Sequence, residues 1–433
     1  MSPLALHGGP PVVREPFPAY NTIAAEETRA VTRVMGKGVL SAFVGAAQEA
    51  FYGGEEVRAL EQEWAEYFAV PHAVSMNSAT SALQAAMGAC GIEPGDEVIV
   101  PPTTMAATAT CPLIYGGIPV FADIDPITFC LDPRSVEDRI TSRTRAIIAV
   151  NLFGQAAPLE ALAALARRRG LRLVEDNAQS AGARHHGRPA GTIGDIGVFS
   201  LNCYKNIQCG EGGIAVTRDK ELAYRLQLIR NHAEVVMLDE AWQPASLANM
   251  VGFNFRMTEL QAAIAREQLK KLEGLNARRR ENTEFLNEKL RAYPCLTPPR
   301  TRPENTHVYY VQALLFDEEQ AGCSRSAFLG ALKAEGVQMA GGYVKPLHLL
   351  PLFQERIAFG SKGHPFSLRA PAELQSYGPG LCPVAEELHL HRLFTNTLIH
   401  ANLERRHLAA ILEAVDKVLA HASELAPVGP PKL

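Results

Sequence analysis

The stretch "FSLNCYKNIQCGEGG", Phe199 to Gly213, decides how the rest of the chain is read. An apolar, strand-like run ends at Ser200, Lys205 follows, and the glycine-rich turn "GEGGIAVT" enters another run of the same kind. Lysine is rarely buried, and its ordinary place is a solvated surface. Here it stands between the end of a strand that should be buried and a tight turn. An amine partly desolvated at a sheet end gives up its proton more readily. It can then attack a carbonyl carbon and form a Schiff base. Ser200 is placed to offer its hydroxyl to a phosphate.

Upstream, "LRLVED" closes a β run with Glu175 and Asp176. A carboxylate at the end of a buried strand is costly without a cationic or hydrogen-bonding partner. Asp176 is read either as a helix N-cap or as the group that keeps a proton on a heteroaromatic nitrogen, as pyridoxal phosphate requires. Gln179 can reach the same ligand if a helical turn begins there. Further upstream, "NSATSALQAAMGACG" places small and hydroxylic residues before a helical run. A helix start offers unpaired N–H groups and a positive dipole end, which suit a phosphate. Ala79 and Thr80 would bring those amides close. A plain cap by Ser78 or Thr80 accounts for the same letters.

The sequence between and around these stretches alternates short β-branched runs ("EVIVP", "IPVFADI", "TRAIIAVNLFG") with helical patterns such as "LEALAALARRRG". That alternation predicts an α/β fold, a mostly parallel sheet wrapped by helices. Ligands in such sheets bind beyond the carboxyl ends of the strands, which directs attention to Asp123, Asn151, Asp176 and Ser200. Residues 1–23, rich in Pro and Gly, read as an extended arm. Residues 24–270 read as a large domain and 271–433 as a smaller α+β domain, reached through the long helical stretch that begins at "TELQAAIAREQL".

The 433 residues suit two or three domains. With 47% hydrophobic and 20% charged residues the chain is an ordinary globular protein. A net charge of -4 argues against nucleic-acid binding, which needs a basic face. No apolar run is long enough to cross a bilayer, and "MSPLALHGGPPVVREPFPAY" lacks the pattern of a secretory signal. Eight scattered cysteines with no C-x-x-C pair point to reduced thiols in a cytoplasmic protein and to no zinc site. His185, His186, His389 and His391 are read as surface or internally satisfied groups.

Taken in order, "GIEPGDEVIVP", "VFADIDP", "NLFGQ", "VEDNAQSAGA", "GTIGDIGVFSLNCYKN", "GEGGIAVT", "GFNFRMTELQAAIAREQL" and "CPVAEEL" resemble the DegT/DnrJ/EryC1/StrS sugar aminotransferases over nearly the whole chain. The resemblance implies the pyridoxal-phosphate transferase fold of the aspartate aminotransferase type. It implies that Lys205 forms the Schiff base with pyridoxal 5'-phosphate, that Asp176 pairs with the pyridine nitrogen, and that Gln179 bonds the ring's phenolic oxygen. The Ala79 and Thr80 amides and the Ser200 hydroxyl would hold the phosphate. Asn254, in "GFNFRM", would reach the cofactor phosphate of a second subunit, giving a homodimer with shared sites.

Two positions depart from the family pattern. Met105, in "PPTTM", stands where an aromatic residue usually stacks on the ring; a thioether can pack there, and ordinary core is the other reading. Asn151, in "NLFG", replaces a common histidine and could tune substrate choice or cap a turn. Tyr343 and His348 lie in a segment that often lines the substrate pocket of relatives. The resemblance implies transfer of an amino group from glutamine or glutamate to a keto-cyclitol or keto-sugar, as in the scyllo-inosose branch. A dehydratase or aromatising enzyme of the aminohydroxybenzoate synthase type, and a noncatalytic relative that merely binds the cofactor, remain as alternatives.

Overall fold

Val57, Leu60, Trp64 and Phe68 fall on one face of the helix Glu55–Phe68, and all four are fully buried, as the 3.6-residue period requires. The strand Ile196–Ser200 is buried at every position, which is what a strand covered on both faces demands. These two patterns, repeated, build the molecule. The computed structural model describes residues 3–238 and 240–425.

The first lobe runs α1 (Ala25–Lys37), α2 (Glu55–Phe68), β1 (His72–Met76), α3 (Ala79–Ala89), β2 (Glu97–Val100), α4 (Ala106–Thr110), β3 (Ile118–Phe121), α5 (Pro133–Arg139) and β4 (Thr144–Val150). It continues through α6 (Leu159–Arg169), β5 (Arg172–Asp176), the hairpin β6 (Arg184–His185) and β7 (Arg188–Pro189), β8 (Ile196–Ser200), β9 (Gly213–Thr217), α7 (Lys220–Arg230) and α8 (Val235–Leu238). Seven strands form one sheet in the order β1-β9-β8-β5-β4-β2-β3. The pairings from β8 through β5, β4 and β2 to β3 are parallel, and the two that involve β9 are antiparallel. The expected α/β architecture is therefore present.

Register places the site. Asp176, last in β5, lies opposite Val150 at the end of β4 and beside Val198 of β8. Gly213, first in β9, lies opposite both Ser200, last in β8, and Met76, last in β1. Three strand ends and the start of α3 thus meet at one edge of the sheet.

The helix α9 (Glu259–Leu290) leads into a second lobe of β10 (Leu296–Thr297), β11 (Asn305–Thr306), β12 (Gln312–Phe316), α10 (Glu318–Ala321), α11 (Arg325–Ala334), β13 (Ala340–Gly341), α12 (Pro351–Gln354), α13 (Pro383–Glu387), β14 (Leu393–Asn396) and α14 (Arg405–Ala420). Its antiparallel sheet, β10-β12-β14-β13, packs a core around Phe316, Phe328 and Phe394. A division of the chain at residue 270 would fall inside α9, which packs on α1 and α2 along one part and on α14 along another. The N-terminal segment lies on this second lobe: Leu4 is fully buried in its core, and the Ala5 and Val12 amides donate to the Glu335 carboxylate. Lys417 closes the clamp, 2.9 Å from Glu335.

Candidate active site

A cavity of about 390 Å³ opens at that sheet edge, lined among others by Ser78, Ala79, Thr80, Met105, Asp176, Ser200 and Lys205. A larger surface groove of about 580 Å³, between Glu284 and Tyr309, contains no lysine and no strand-end carboxylate.

Asp176 is buried at the cavity floor. Thr108 donates to its Oδ2 at 2.7 Å and the Ala178 amide to its Oδ1 at 3.2 Å. Thr108 spends its single proton on the carboxylate, so the Thr104 hydroxyl, 3.2 Å away, donates to Thr108. Burial pushes the Asp176 carboxyl above its ordinary pKa; Thr108, Ala178 and the charge of Lys205 pull the other way. A cation bonded to Asp176 would relieve the desolvation that burial imposes.

Lys205 rides on the loop between β8 and β9. Backbone bonds from Leu201 to Gly212, Cys203 to Gly210 and Cys209 to Leu201 close this loop on itself. The Asn206 amide donates to Asn276 Oδ1 on α9 at 2.7 Å and to the Val308 carbonyl at 3.3 Å, while the Tyr20 hydroxyl donates to the Asn206 carbonyl. The lysine is thereby tied to three distant parts of the chain. Its Nζ lies 4.5 Å from the centre of the Tyr310 ring, a favourable site for a cation.

At the cavity's other end, Ser78 caps α3 by accepting from the Ser81 amide at 3.0 Å. The cap reading and the anion reading are compatible, because the Ala79 and Thr80 amides in the first turn have no partner within the helix. Gly213 explains part of the "GEGG" motif: a Cβ there would come within 2.4 Å of the Ala79 nitrogen. Only glycine lets β9 start against the α3 N-terminus.

The remaining sequence candidates separate. Tyr343 lines the cavity. Gln179 is buried just behind it, accepting from the Phe153 amide and donating to the Tyr343 hydroxyl, each at 2.9 Å; in this arrangement its amide positions Tyr343. Met105 is 55% exposed at the cavity mouth, so it is not core. Asn254 is exposed and accepts from Arg256, and it is not among the residues that line this cavity.

Two substrate candidates are corrected. Asn151 is fully buried: it donates to Glu175 and Asn177 and accepts from the Ala157 amide, so it fixes the turn that follows β4. His348 is fully buried against Glu386 at 2.9 Å, and burial pulls its pKa below the ordinary imidazole value. Of the other strand-end polar groups, Asp123 accepts from the Val384 and Ala385 amides at the start of α13. Sequence reasoning missed Thr108 and Tyr310. Nothing local marks Thr108 in "TTMAATAT"; Tyr310 was visible only as part of the strand-like "THVYYVQALLF".

The model of the DegT/DnrJ/EryC1/StrS aminotransferase family matches residues 35–376. The chain belongs to this family. This aminotransferase is 37% identical over 437 aligned positions to the L-glutamine:2-deoxy-scyllo-inosose aminotransferase of Streptoalloteichus tenebrarius, covering 98% of this chain and 99% of that one. Among solved structures it is similar to S. venezuelae DesV in complex with a ketimine intermediate, at TM-score 0.75 and 33% identity over 92% of this chain and 94% of that one. It is also similar to DesI in the presence of its TDP-sugar product, at TM-score 0.79 and 29% identity over 97% of this chain and 96% of that one. The aminotransferase thus shares both fold and reaction class with its relatives. Among its described residues no helix is long and apolar enough to cross a membrane.

Proposed function

We propose that this aminotransferase uses pyridoxal 5'-phosphate to move an amino group from glutamine or glutamate to a ketone of a cyclitol. The observation that carries the reading is one cavity holding a half-buried lysine, a buried carboxylate at a strand end and an open helix N-terminus. Those three groups fit the three chemical ends of the cofactor: an amine for its carbonyl, an anion for its ring nitrogen, and amides for its phosphate. Lys205 would hold it covalently, Asp176 would keep its nitrogen protonated, and the Ala79 and Thr80 amides with the Ser200 hydroxyl would take the phosphate. Met105 would pack on one ring face.

Bound there, the cofactor supplies a carbonyl to receive the amino group and a ring to accept electron density. Lys205 Nζ takes the proton from the α-carbon of the amino donor and later returns a proton to the former ketone carbon. Asp176 would be held ionised by a protonated ring nitrogen, with Thr108 and Ala178 donating to its oxygens. Tyr310 and Tyr343 wall the acceptor's space and limit entry of water. Two half-reactions on one site give ping-pong kinetics.

The keto-cyclitol acceptor is favoured by full-length similarity to a 2-deoxy-scyllo-inosose enzyme. A dehydratase could use the same lysine, so the assay must follow nitrogen. Purified enzyme with L-glutamine and 2-deoxy-scyllo-inosose should yield the aminated cyclitol. Amination of a nucleotide-linked keto-sugar alone would overturn the substrate class. An enzyme that shows no absorbance band sensitive to borohydride would overturn the cofactor assignment.

A further inference from the structure

We infer that Glu160, His185 and His186 form a binding site for a borderline divalent transition-metal ion such as zinc, outside the catalytic cavity. This reverses the expectation, drawn from cysteine spacing, that the chain holds no zinc site. The three side chains come from two elements, the first turn of α6 and the β6–β7 hairpin, and their ligand atoms all lie within 4.8 Å of one another. Among the described residues this is the one cluster of its kind.

The decisive group is His185. It is 95% buried, with relative exposure of 5%, and its Nε2 has no hydrogen-bond partner. Its tautomer follows from the neighbouring hydrogen bonds. Asn305 donates through Nδ2 to the Ala156 carbonyl at 2.9 Å, so its Oδ1 is the atom that faces His185 Nδ1 at 2.7 Å. An amide oxygen can only accept, so Nδ1 carries the proton and Nε2 presents a bare lone pair. A buried acceptor without a donor is unfavourable unless something electrophilic fills the place. Asn305 also supplies what a metal-bound histidine usually has, an acceptor on the ring's far N–H that fixes its orientation.

The other two ligands are poised at the surface. His186 Nε2 lies 3.5 Å from Glu160 Oε2, and the His186 ring packs edge-on against His185 at 4.7 Å between centroids. Two ligand atoms roughly 2.0–2.1 Å from a tetrahedral zinc are themselves about 3.4 Å apart. Both side chains are more than half exposed and free to close on an ion, and water can complete the shell. Two imidazoles and one carboxylate favour zinc or its neighbours over magnesium or calcium, which prefer all-oxygen shells. A bound ion would fasten the hairpin to the start of α6 while Asn305 fastens both to β11.

The test is calorimetric titration of zinc chloride into full-length, tag-free holoenzyme stripped of adventitious metal with a chelator. One zinc per chain is expected. Glu160→Ala and His186→Ala, both surface changes that leave the fold in place, should each weaken binding at least about tenfold, and Asn305→Ala about 10–100-fold. Absence of saturable binding, or binding undiminished in both surface variants, would overturn the site. Magnesium chloride bound as tightly as zinc would overturn its chemical class.

Discussion

At Asp176 the fold carries a cost that the cofactor is suited to remove. Burial raises the carboxyl's pKa in the chain alone. A raised acid pKa means the folded chain keeps a proton that the unfolded chain releases. This contribution to stability is therefore fully present below the unfolded carboxylate's pKa and is lost as pH rises through the folded value. Asp176→Asn should accordingly raise the melting temperature of the cofactor-free protein near neutral pH, with the gain vanishing in acid. The same variant should slow the half-reaction with the amino donor by several orders of magnitude, read by single-turnover kinetics. A melting temperature that falls near neutral pH would show that Thr108 and Ala178 already offset the burial. Thr108→Val removes one donor to an ionised group and should cost about 1.5–3 kcal/mol of transition-state stabilisation, measured as kcat/KM. Lys205→Ala should abolish transamination; turnover near the parent rate would end the assignment of that residue.

Elements explain what the sequence could and could not reveal. The strand runs, the α2 stripe and the glycine turn were legible because burial imposes a period on them and a close approach imposes glycine. The positions of Asn151 and His348 at promising places were legible too, but the direction of their side chains was not. Asn151 turns inward to hold the "NLFG" loop, and that loop seats the segment bearing Tyr310: the Val308 amide donates to Gly154 and the Val311 amide to Phe153. Thr108 escaped notice because it meets Asp176 across 68 positions of sequence, a contact that no local pattern encodes. Gly154 has φ of 112°, and a Cβ there would come within 2.6 Å of the Tyr309 nitrogen. Gly154→Ala should therefore displace the Tyr310 segment, costing about 1–3 kcal/mol of stability in denaturant unfolding. It should also lower kcat/KM for the keto acceptor. A variant of unchanged stability and activity would show that the loop yields.

For the whole molecule, the proposal is a homodimer in which Asn254 completes the partner's phosphate site. Asn254 is exposed, and its side-chain Oδ1 accepts from Arg256 of its own chain. Co-expressed Lys205→Ala and Asn254→Ala chains should form one intact site per mixed dimer, so that the isolated mixed dimer recovers activity toward half of the parent level. The design requires that Asn254→Ala alone be severely impaired, since one hydrogen bond to a charged group contributes about 1.5–3 kcal/mol. A fully active monomer by sedimentation would reject shared sites.

The unbroken course of α9 gives the enzyme a mechanical property. At 32 residues it is a rod of about 48 Å. Gln261 near its start donates to the Glu211 carbonyl in the lysine loop, Asn276 near its middle holds Asn206, and Asn282 beyond it donates to the His400 carbonyl of the second lobe. A rod gripped at these points transmits tilt with little attenuation, so rocking of the second lobe when a substrate enters would register at Lys205 as a change in its reach. Asn282→Ala releases the rod's grip on the His400 carbonyl and leaves the Gln261 and Asn276 contacts in place: the cofactor should still load, while kcat/KM measured across acceptors of different size should vary less than in the parent enzyme.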